Sequence, residues 1–124
     1  MREPITTDKI ADPVAPFSAG IRRDGFIFLS GQVGQDPATG ALIDGDVAAQ
    51  TEQIFKNLVS VLEAAGKTLD DVVRVGVYLT DMNDFAAMNS VYGTSFAQPY
   101  PARTAIGVVA LPLGAAVEID AIVG

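Results

Sequence analysis

The sequence contains neither cysteine nor histidine in its 124 residues. Without cysteine it can form no disulfide, no thiolate nucleophile and no cysteine-ligated zinc site. Without histidine it lacks the usual general base near neutral pH, the Ser-His-Asp triad and most transition-metal sites. Any catalysis must therefore depend on carboxylates, hydroxyls, amides, Arg, Lys and backbone dipoles, and we expect no metal centre.

Basic residues are also scarce, since eight Lys and Arg stand against fifteen Asp and Glu for a formal charge of −7. Binding to phosphate backbones needs clustered cations, and the nearest approach to a cluster is the turn pair Arg22-Arg23. No apolar run approaches the roughly 18 to 20 residues of a membrane-spanning helix. The N-terminus shows no basic segment that leads into an apolar one. We therefore expect a cytoplasmic protein that binds neither nucleic acid nor membrane.

The length fits a single domain that spans residues 1–124. Residues 1–16 are polar, contain proline and show no period, so they predict an extended N-terminal arm. The turn signal Asp24-Gly25 then predicts a β-hairpin whose second strand alternates between two faces. Residues 34–45 are dense in Gly, Pro and Asp and predict a loop.

A helix and a buried strand come next. The helix is predicted from about Val47 to Ala65, because its apolar residues recur at helical spacing. Asp46 is placed to cap its start, and Gly66 to end it in a left-handed conformation. Residues 72–79, VVRVGVYL, are rich in valine and apolar on both faces, as is typical of a central strand.

A second helix and two strands, TAIGVV and VEIDAIV, complete the predicted elements. Asn83 or Asp84 is expected to cap the helix, whose apolar stripe is Phe85, Met88, Tyr92 and Phe96. The order of elements predicts an α+β domain with both helices on one face of one sheet, because strand-helix-strand crossovers are right-handed. The opposite face is then bare although its strands carry apolar residues. Such a face needs a cover, and we expect a second subunit to supply it.

Two charged residues lie in or at the start of strands that are otherwise apolar. Arg103 opens the strand TAIGVV, where it could pair with a nearby carboxylate, extend to solvent at the sheet rim, or clamp a ligand carboxylate or phosphate with its planar fork. Glu118 alternates with the apolar residues of the last strand and points to the bare face with Asp120. If that face is an oligomer interface, partial desolvation should raise the pKa of Glu118 toward a range useful in acid-base chemistry.

Five stretches, in order and without large insertions, resemble the reactive intermediate deaminase family, also called YjgF-like proteins: FLSGQVGQDPATG, AAQTEQIFKNLVSVLEAAG, NDFAAMNSVY, YPARTAIGVVALP and VEIDAIV. The resemblance extends from about Pro16 to Val123, and its most specific parts are the PAR strand opening and the SGQ-loop-PxTG segment. It implies a chorismate-mutase-like fold, a mixed sheet whose last strand is inserted among the earlier ones. It also implies a homotrimer with ligand sites in the clefts between subunits.

The resemblance also implies roles for individual residues. Arg103 matches the family arginine that grips the substrate carboxylate, and Glu118 matches the glutamate that handles water and protons. Ser30 and Asn89 match positions that line the same cleft, and Gly31 fits the close approach beside it. From the pattern alone, Ser30 could equally be a solvated strand-end hydroxyl and Asn89 a polar flank of the helix stripe.

Two positions depart from the family pattern. Phe17 stands where the deaminases usually carry tyrosine, so a hydroxyl is missing. Ala105 stands where they often carry cysteine, which should leave the cleft roomier and less polar. Both residues are still expected to contact substrate, and both departures bear on which substrate fits.

The resemblance implies an enzyme that hydrolyses reactive enamines or imines such as 2-aminoacrylate to a keto acid and ammonia, without a cofactor. One alternative is a deaminase or hydrolase for a larger, aminomuconate-like unsaturated amino acid in a catabolic pathway. Another is a non-catalytic trimer that binds a small carboxylate or acts as a chaperone, which the missing hydroxyl at Phe17 favours. Ribonuclease activity is not expected of an acidic chain without histidine.

Overall fold

Six strands form one mixed β-sheet in the computed structural model, which describes all residues from 1 to 124. The strands are β1 (Glu3–Ile5), β2 (Gly20–Arg23), β3 (Phe26–Gln32), β4 (Val72–Leu79), β5 (Ala102–Gly107) and β6 (Val117–Val123). Their order across the sheet is β1-β2-β3-β6-β4-β5, and only β4 and β5 pair in parallel. The last strand therefore lies among the earlier ones, which confirms the expected mixed sheet.

A two-residue turn joins β2 to β3, as the sequence predicts. Asp24 and Gly25 have positive φ angles of 52° and 81°, the combination that a type I′ hairpin turn requires. The alternation predicted for β3 is also confirmed, because Ile27 and Leu29 are buried whereas Phe28 is 46% exposed on the other face.

The N-terminal arm contains a short strand that the sequence does not predict. β1 pairs antiparallel with β2, so that Glu3 lies opposite Arg22 and Ile5 lies opposite Gly20. Ile5 is buried and belongs to the hydrophobic core. A strand of three residues is too short to show an alternating pattern in the sequence. It is defined by its pairing with β2, which the sequence of the arm does not reveal.

Two α-helices, α1 (Val47–Ala64) and α2 (Phe85–Ser95), pack against each other and against the sheet. Asp46 caps α1 as predicted, since its carboxylate accepts the N–H of Ala49 at 3.0 Å. Gly66 follows the end of α1 with a φ of 74°, the left-handed conformation that commonly terminates helices.

Asp84 is the N-cap residue of α2, one of the two predicted residues, but its side chain does not cap the helix. A 3-10 turn at Met82–Asp84 leads directly into α2, and Asp81 caps this turn by accepting the N–H of Asn83 at 2.9 Å. Asp84 itself has helical backbone angles and makes no side-chain cap bond. A capping side chain needs an extended backbone to reach the free N–H groups, so the side-chain cap lies one turn earlier than the apolar stripe indicates.

The core lies between the two helices and one face of the sheet. Its most buried sheet residues, at most 1% exposed, come from β3, β4 and β6: Ile27, Val75, Val77, Leu79, Val117, Ile119 and Val123. The helices contribute Ile54, Leu62 and Met88, none of which is exposed. Burial of each such side chain stabilises the fold by about 1.5–3 kcal/mol. This packing fixes the register of β6, so that Glu118 and Asp120 must face the other side of the sheet.

That other face has no covering layer from its own chain. Large apolar side chains lie exposed on it, among them Phe26, Phe28 and Ile106. The prediction of a sheet covered by helices on one face only is therefore confirmed, and this uncovered surface is called the bare face below. Neither helix combines the length and the apolar character that crossing a membrane requires.

Candidate active site

Arg103 is the second residue of β5, and its side chain lies on the helix-covered face of the sheet. Its parallel partner on β4 is Val75, which is buried beneath the helices. Arg103 Nη1 donates a hydrogen bond to Oδ1 of Asn89 on α2 at 2.7 Å. This short, charge-assisted bond uses one edge of the guanidinium. Arg103 and Asn89 are thus in direct contact within one chain.

Two aromatic rings of α2 make cation–π contacts with the same guanidinium. Arg103 Cζ lies 4.6 Å from the ring centroid of Tyr92 and 5.6 Å from that of Phe85. Cation–π contacts of this kind are stronger where water is partly excluded. Sequence reasoning assigned both aromatics to the core stripe and missed this role. Their spacing of seven residues, which places both on one helix face above the strand, is the signal that could have revealed it.

The hydroxyl of Tyr92 is buried and has no hydrogen-bond partner. Burial raises the pKa of this phenol, while the nearby positive charge of Arg103 acts in the opposite direction. The phenol is therefore neutral under ordinary conditions, and it is the ring rather than the hydroxyl that supports Arg103. The cleft above the pair is lined by Asn89, Tyr92, Gly93, Tyr100, Pro101 and Arg103.

Glu118 is the second residue of β6 and faces the bare side of the sheet, directly opposite Tyr78 of β4. Its carboxyl group lies over Gly31, where a β-carbon would stand only 2.7 Å from Oε2 and 2.8 Å from Cδ. Burial, and secondarily the negative charge of Asp120, raise the pKa of Glu118. The predicted close approach at Gly31 and the predicted pKa direction at Glu118 both agree with this geometry.

Ser30 and Gly31 form an irregularity in β3, between the pairs Leu29 with Ala121 and Gln32 with Ile119. Ser30 Oγ donates to the carbonyl oxygen of Ser18 at 2.6 Å, and Ser30 N–H donates to that of Ala19 at 3.0 Å. These bonds tie the segment that carries Phe17 to the end of β3. The ring of Phe17 is 52% exposed, so it is free to contact a ligand or a second subunit.

Ala105 lies on the same face of β5 as Arg103, opposite Val77 of β4. It is partly buried and packs against the hydrophobic core. A small side chain here leaves space beside Arg103 on the helix-covered face. The structure thus groups Ala105 with Arg103 and Asn89. It groups Gly31 and the adjacent Ser30 with Glu118, and Ser30 in turn holds the segment that carries Phe17.

These two groups of residues lie on opposite faces of the sheet within one chain. The register settles this point, because Arg103 pairs with buried Val75, whereas Glu118 pairs with Tyr78 on the bare face. One chain therefore presents two half-sites, a cationic one at α2 and β5 and an acidic one at β3 and β6. No group of three or more Asp and Glu side chains is arranged to hold a metal ion.

The comparisons with known proteins agree with one another. The profile of the family described as Endoribonuclease L-PSP matches residues 7–124. The chain is 44% identical over 122 residues to the 2-iminobutanoate/2-iminopropanoate deaminase of Mus musculus, which covers 98% of this chain and 90% of the mouse protein. Its fold is similar to that of RidA from the Antarctic bacterium Psychrobacter sp. PAMC 21119, with a TM-score of 0.94, 44% identity and 98% of both chains covered.

A second solved structure, E. coli TdcF with bound serine, matches with a TM-score of 0.92 and 32% identity, covering 98% of this chain and 97% of the other. These similarities confirm the expected α+β, chorismate-mutase-like fold and the family resemblance seen in the sequence. Because the match covers nearly every residue, it includes both half-sites. The chain therefore belongs to the reactive intermediate deaminase family, also described as Rid, YjgF-like or Endoribonuclease L-PSP proteins.

Proposed function

We propose that this protein hydrolyses small 2-imino acids and the enamines that tautomerise to them, releasing a 2-keto acid and ammonia. The observation that carries this proposal is the 44% identity, over 98% of the chain, to a 2-iminobutanoate/2-iminopropanoate deaminase. A human deaminase of the same name is 40% identical over 98% of the chain. The chemistry of the two half-sites supports the same reaction, as follows.

Arg103 binds the substrate carboxylate. Asn89 accepts from Nη1, and the rings of Tyr92 and Phe85 lie beneath the guanidinium, so the remaining N–H groups point in a fixed direction. A fixed fork can donate two parallel hydrogen bonds to one carboxylate. The result is a substrate held by its acidic end, with the C=N carbon at a defined distance from the clamp.

Glu118 moves the protons. Water adds to the imine carbon, so that a C–O bond forms while the C=N π pair passes to nitrogen. Glu118 accepts a proton from that water and returns a proton to nitrogen. Glu118 then takes the hydroxyl proton of the carbinolamine and delivers it to the amino nitrogen, so that the C–N bond breaks, the keto group forms and ammonia departs. For an enamine substrate, protonated Glu118 first donates to carbon, and the raised pKa of Glu118 suits a group that must alternate between both forms.

The two half-sites belong to different chains in this proposal. Within one chain the sheet separates Arg103 from Glu118, so neither half-site is complete alone. A second copy that covers the bare face would bring its own α2 and β5 edge to the acidic half-site of the first. The exposed apolar residues Phe28 and Ile106 supply the surface that this contact would bury. We propose the homotrimer that the family resemblance implies, with three equivalent clefts.

Two alternative functions keep specific support. A non-catalytic site for small amino or keto acids would need only the Arg103 half-site, and one solved relative of this chain holds serine. A larger unsaturated amino acid would use the space beside Ala105 and the exposed ring of Phe17. Ribonuclease activity is not favoured, because the net charge is −7 and the chain has no histidine.

A coupled assay tests the proposal. A dehydratase generates 2-iminopropanoate or 2-iminobutanoate in place, and keto-acid release is followed with and without the protein. We expect acceleration that is lost in Arg103→Ala and in Glu118→Gln. Binding of a small acid by calorimetry without any acceleration would instead support the binding protein. Acceleration confined to aminomuconate-like compounds would support the larger substrate.

A further inference from the structure

Two carboxylates, not one, lie on the bare face of β6. Glu118 and Asp120 are two residues apart on one strand, so their side chains emerge on the same side about 7 Å apart. Each lies over a glycine of a neighbouring strand: Glu118 over Gly31 of β3, and Asp120 over Gly76 of β4. A β-carbon at Gly76 would collide with Asp120 Oδ1 and stand 2.9 Å from the Tyr78 hydroxyl oxygen. The missing side chain at Gly76 thus makes the space in which Asp120 and Tyr78 meet.

The Tyr78 hydroxyl donates to Asp120 Oδ2 at 2.9 Å. Tyr78 is the direct cross-strand neighbour of Glu118, whereas Asp120 is opposite Gly76. The hydroxyl therefore does not bond Glu118, the carboxylate directly opposite it, but bonds Asp120, which lies diagonally across the two strands. This choice fixes Asp120 in one place and leaves the Glu118 carboxyl without a donor from Tyr78.

We propose that Asp120, held over Gly76 by the Tyr78 hydroxyl, is a positioning residue that fixes a negative charge beside Glu118 and thereby favours the protonated form of the Glu118 carboxyl. This inference rests on the proposed function, in which Glu118 transfers protons. Asp120 does not touch substrate. It acts on the reaction only through the protonation of Glu118, because a nearby like charge disfavours ionisation.

The other charges around Glu118 leave Asp120 as the main negative neighbour. On β4, Tyr78 is neutral, since its bond to Asp120 and its burial raise its pKa. Also on β4, Arg74 Nη2 donates to Thr104 Oγ1 at 3.1 Å and so is directed toward β5. β3 carries no ionisable residue, and the helices lie behind the sheet. In the proposed trimer the positive charge of the partner subunit's Arg103 favours the ionised form of Glu118. That effect stays the same when only Asp120 is replaced.

Three variants test this role. Asp120→Asn removes the charge and keeps the shape, and Tyr78→Phe removes the hydroxyl that holds Asp120. Glu52→Gln is the matched control, because Glu52 is an exposed carboxylate on α1, on the far side of the sheet. The readouts are the pH profile of kcat/KM for imine hydrolysis and the direct titration of Glu118 by carbon-13 NMR. The chain has only four glutamates, and Glu118→Gln assigns the signal of interest.

We expect Asp120→Asn to move both the Glu118 titration and its limb of the pH profile to lower pH. Tyr78→Phe should move them in the same direction by less, because the released Asp120 turns toward solvent. Glu52→Gln should match the unaltered protein. A Glu118 titration that is the same in Asp120→Asn and in Glu52→Gln would overturn the proposal, and an unshifted Tyr78→Phe would overturn the holding role of Tyr78.

The NMR titration separates this inference from the proposed function. If the unaltered protein accelerates no imine hydrolysis, the proposed function fails, yet the titration still decides whether Asp120 controls the protonation of Glu118. If hydrolysis is rapid but the titration ignores Asp120, only the inference fails. Tyr78→Phe keeps the comparison available should Asp120→Asn not fold.

Discussion

Asn89→Ala should weaken the grip of Arg103 on the substrate carboxylate. The change removes the acceptor that lies 2.7 Å from Arg103 Nη1 but leaves the rings beneath the guanidinium in place. A hydrogen bond to a charged group contributes about 1.5–3 kcal/mol, and we take the lower end because both residues are only partly buried. A loss of about 1.5 kcal/mol corresponds to a decrease in kcat/KM of roughly tenfold. Arg103 holds the carboxylate before and during the reaction alike, so the change should appear mainly as a higher KM.

The assay is steady-state release of keto acid from enzymatically generated 2-iminobutanoate. Ser90→Ala is the matched control, because Ser90 is the next residue on α2 and its hydroxyl donates only to the Ala86 carbonyl of the same helix. Asn89→Asp provides a second comparison, since a carboxylate at this place would pair with Arg103 and compete with substrate, raising KM further. An unchanged KM in Asn89→Ala, or a change equal to that of Ser90→Ala, would refute the assignment of Arg103 and Asn89 to one binding unit.

Three further predictions follow from individual contacts. Gly31→Ala should lower kcat about tenfold or more with little effect on stability, because the new β-carbon displaces the Glu118 carboxyl by several tenths of an ångström. Full activity in this variant would show that the position of the carboxyl is unimportant. Tyr92→Phe should leave KM unchanged and not reduce the melting temperature, since the buried hydroxyl has no partner, whereas Tyr92→Leu should raise KM by removing the ring beneath Arg103. Glu118→Gln should gain stability over the unaltered protein as pH rises above 4.5, the ordinary pKa of this carboxyl, because a raised folded-state pKa makes ionisation destabilising. If urea unfolding shows the same difference in free energy of unfolding between the two proteins at pH 4 and at pH 7, this sign is contradicted.

Local patterns of the sequence predict most of the elements. The Asp24-Gly25 turn, the Asp46 cap and the alternation of β6 each depend on neighbours within a few residues, and each is confirmed. The strand β1 was missed because its pairing partner lies 15 to 19 residues away along the chain, from Ile5 to Gly20 and from Glu3 to Arg22. The N-cap position of α2 at Asp84 agrees with the prediction, but its side chain makes no capping bond because a 3-10 turn, which has no distinct sequence pattern, precedes the helix.

Alternation along a strand could not show which face of the sheet Arg103 occupies. Both faces of TAIGVV are apolar, so the pattern allows either orientation, and the parallel register with β4 decides it. The bond between Tyr78 and Asp120 spans 42 positions and leaves no local signal. The location in the cytoplasm, the trimer and the roles of the site residues stay predictions, since none of them follows from the coordinates of one chain.

Mixing two inactive variants tests most directly whether each active site is built from two chains. Arg103→Ala retains the acidic half-site, and Glu118→Gln retains the cationic one. When the two proteins are unfolded together in equal amounts and refolded, each cleft receives both intact halves with a chance of one half times one half, so about a quarter of the sites should be active in a symmetric trimer. We predict that keto-acid release recovers to about a quarter of the rate of the unaltered protein, while each variant refolded alone stays inactive. No recovery in a mixture shown by mass spectrometry to contain mixed oligomers would contradict the shared site.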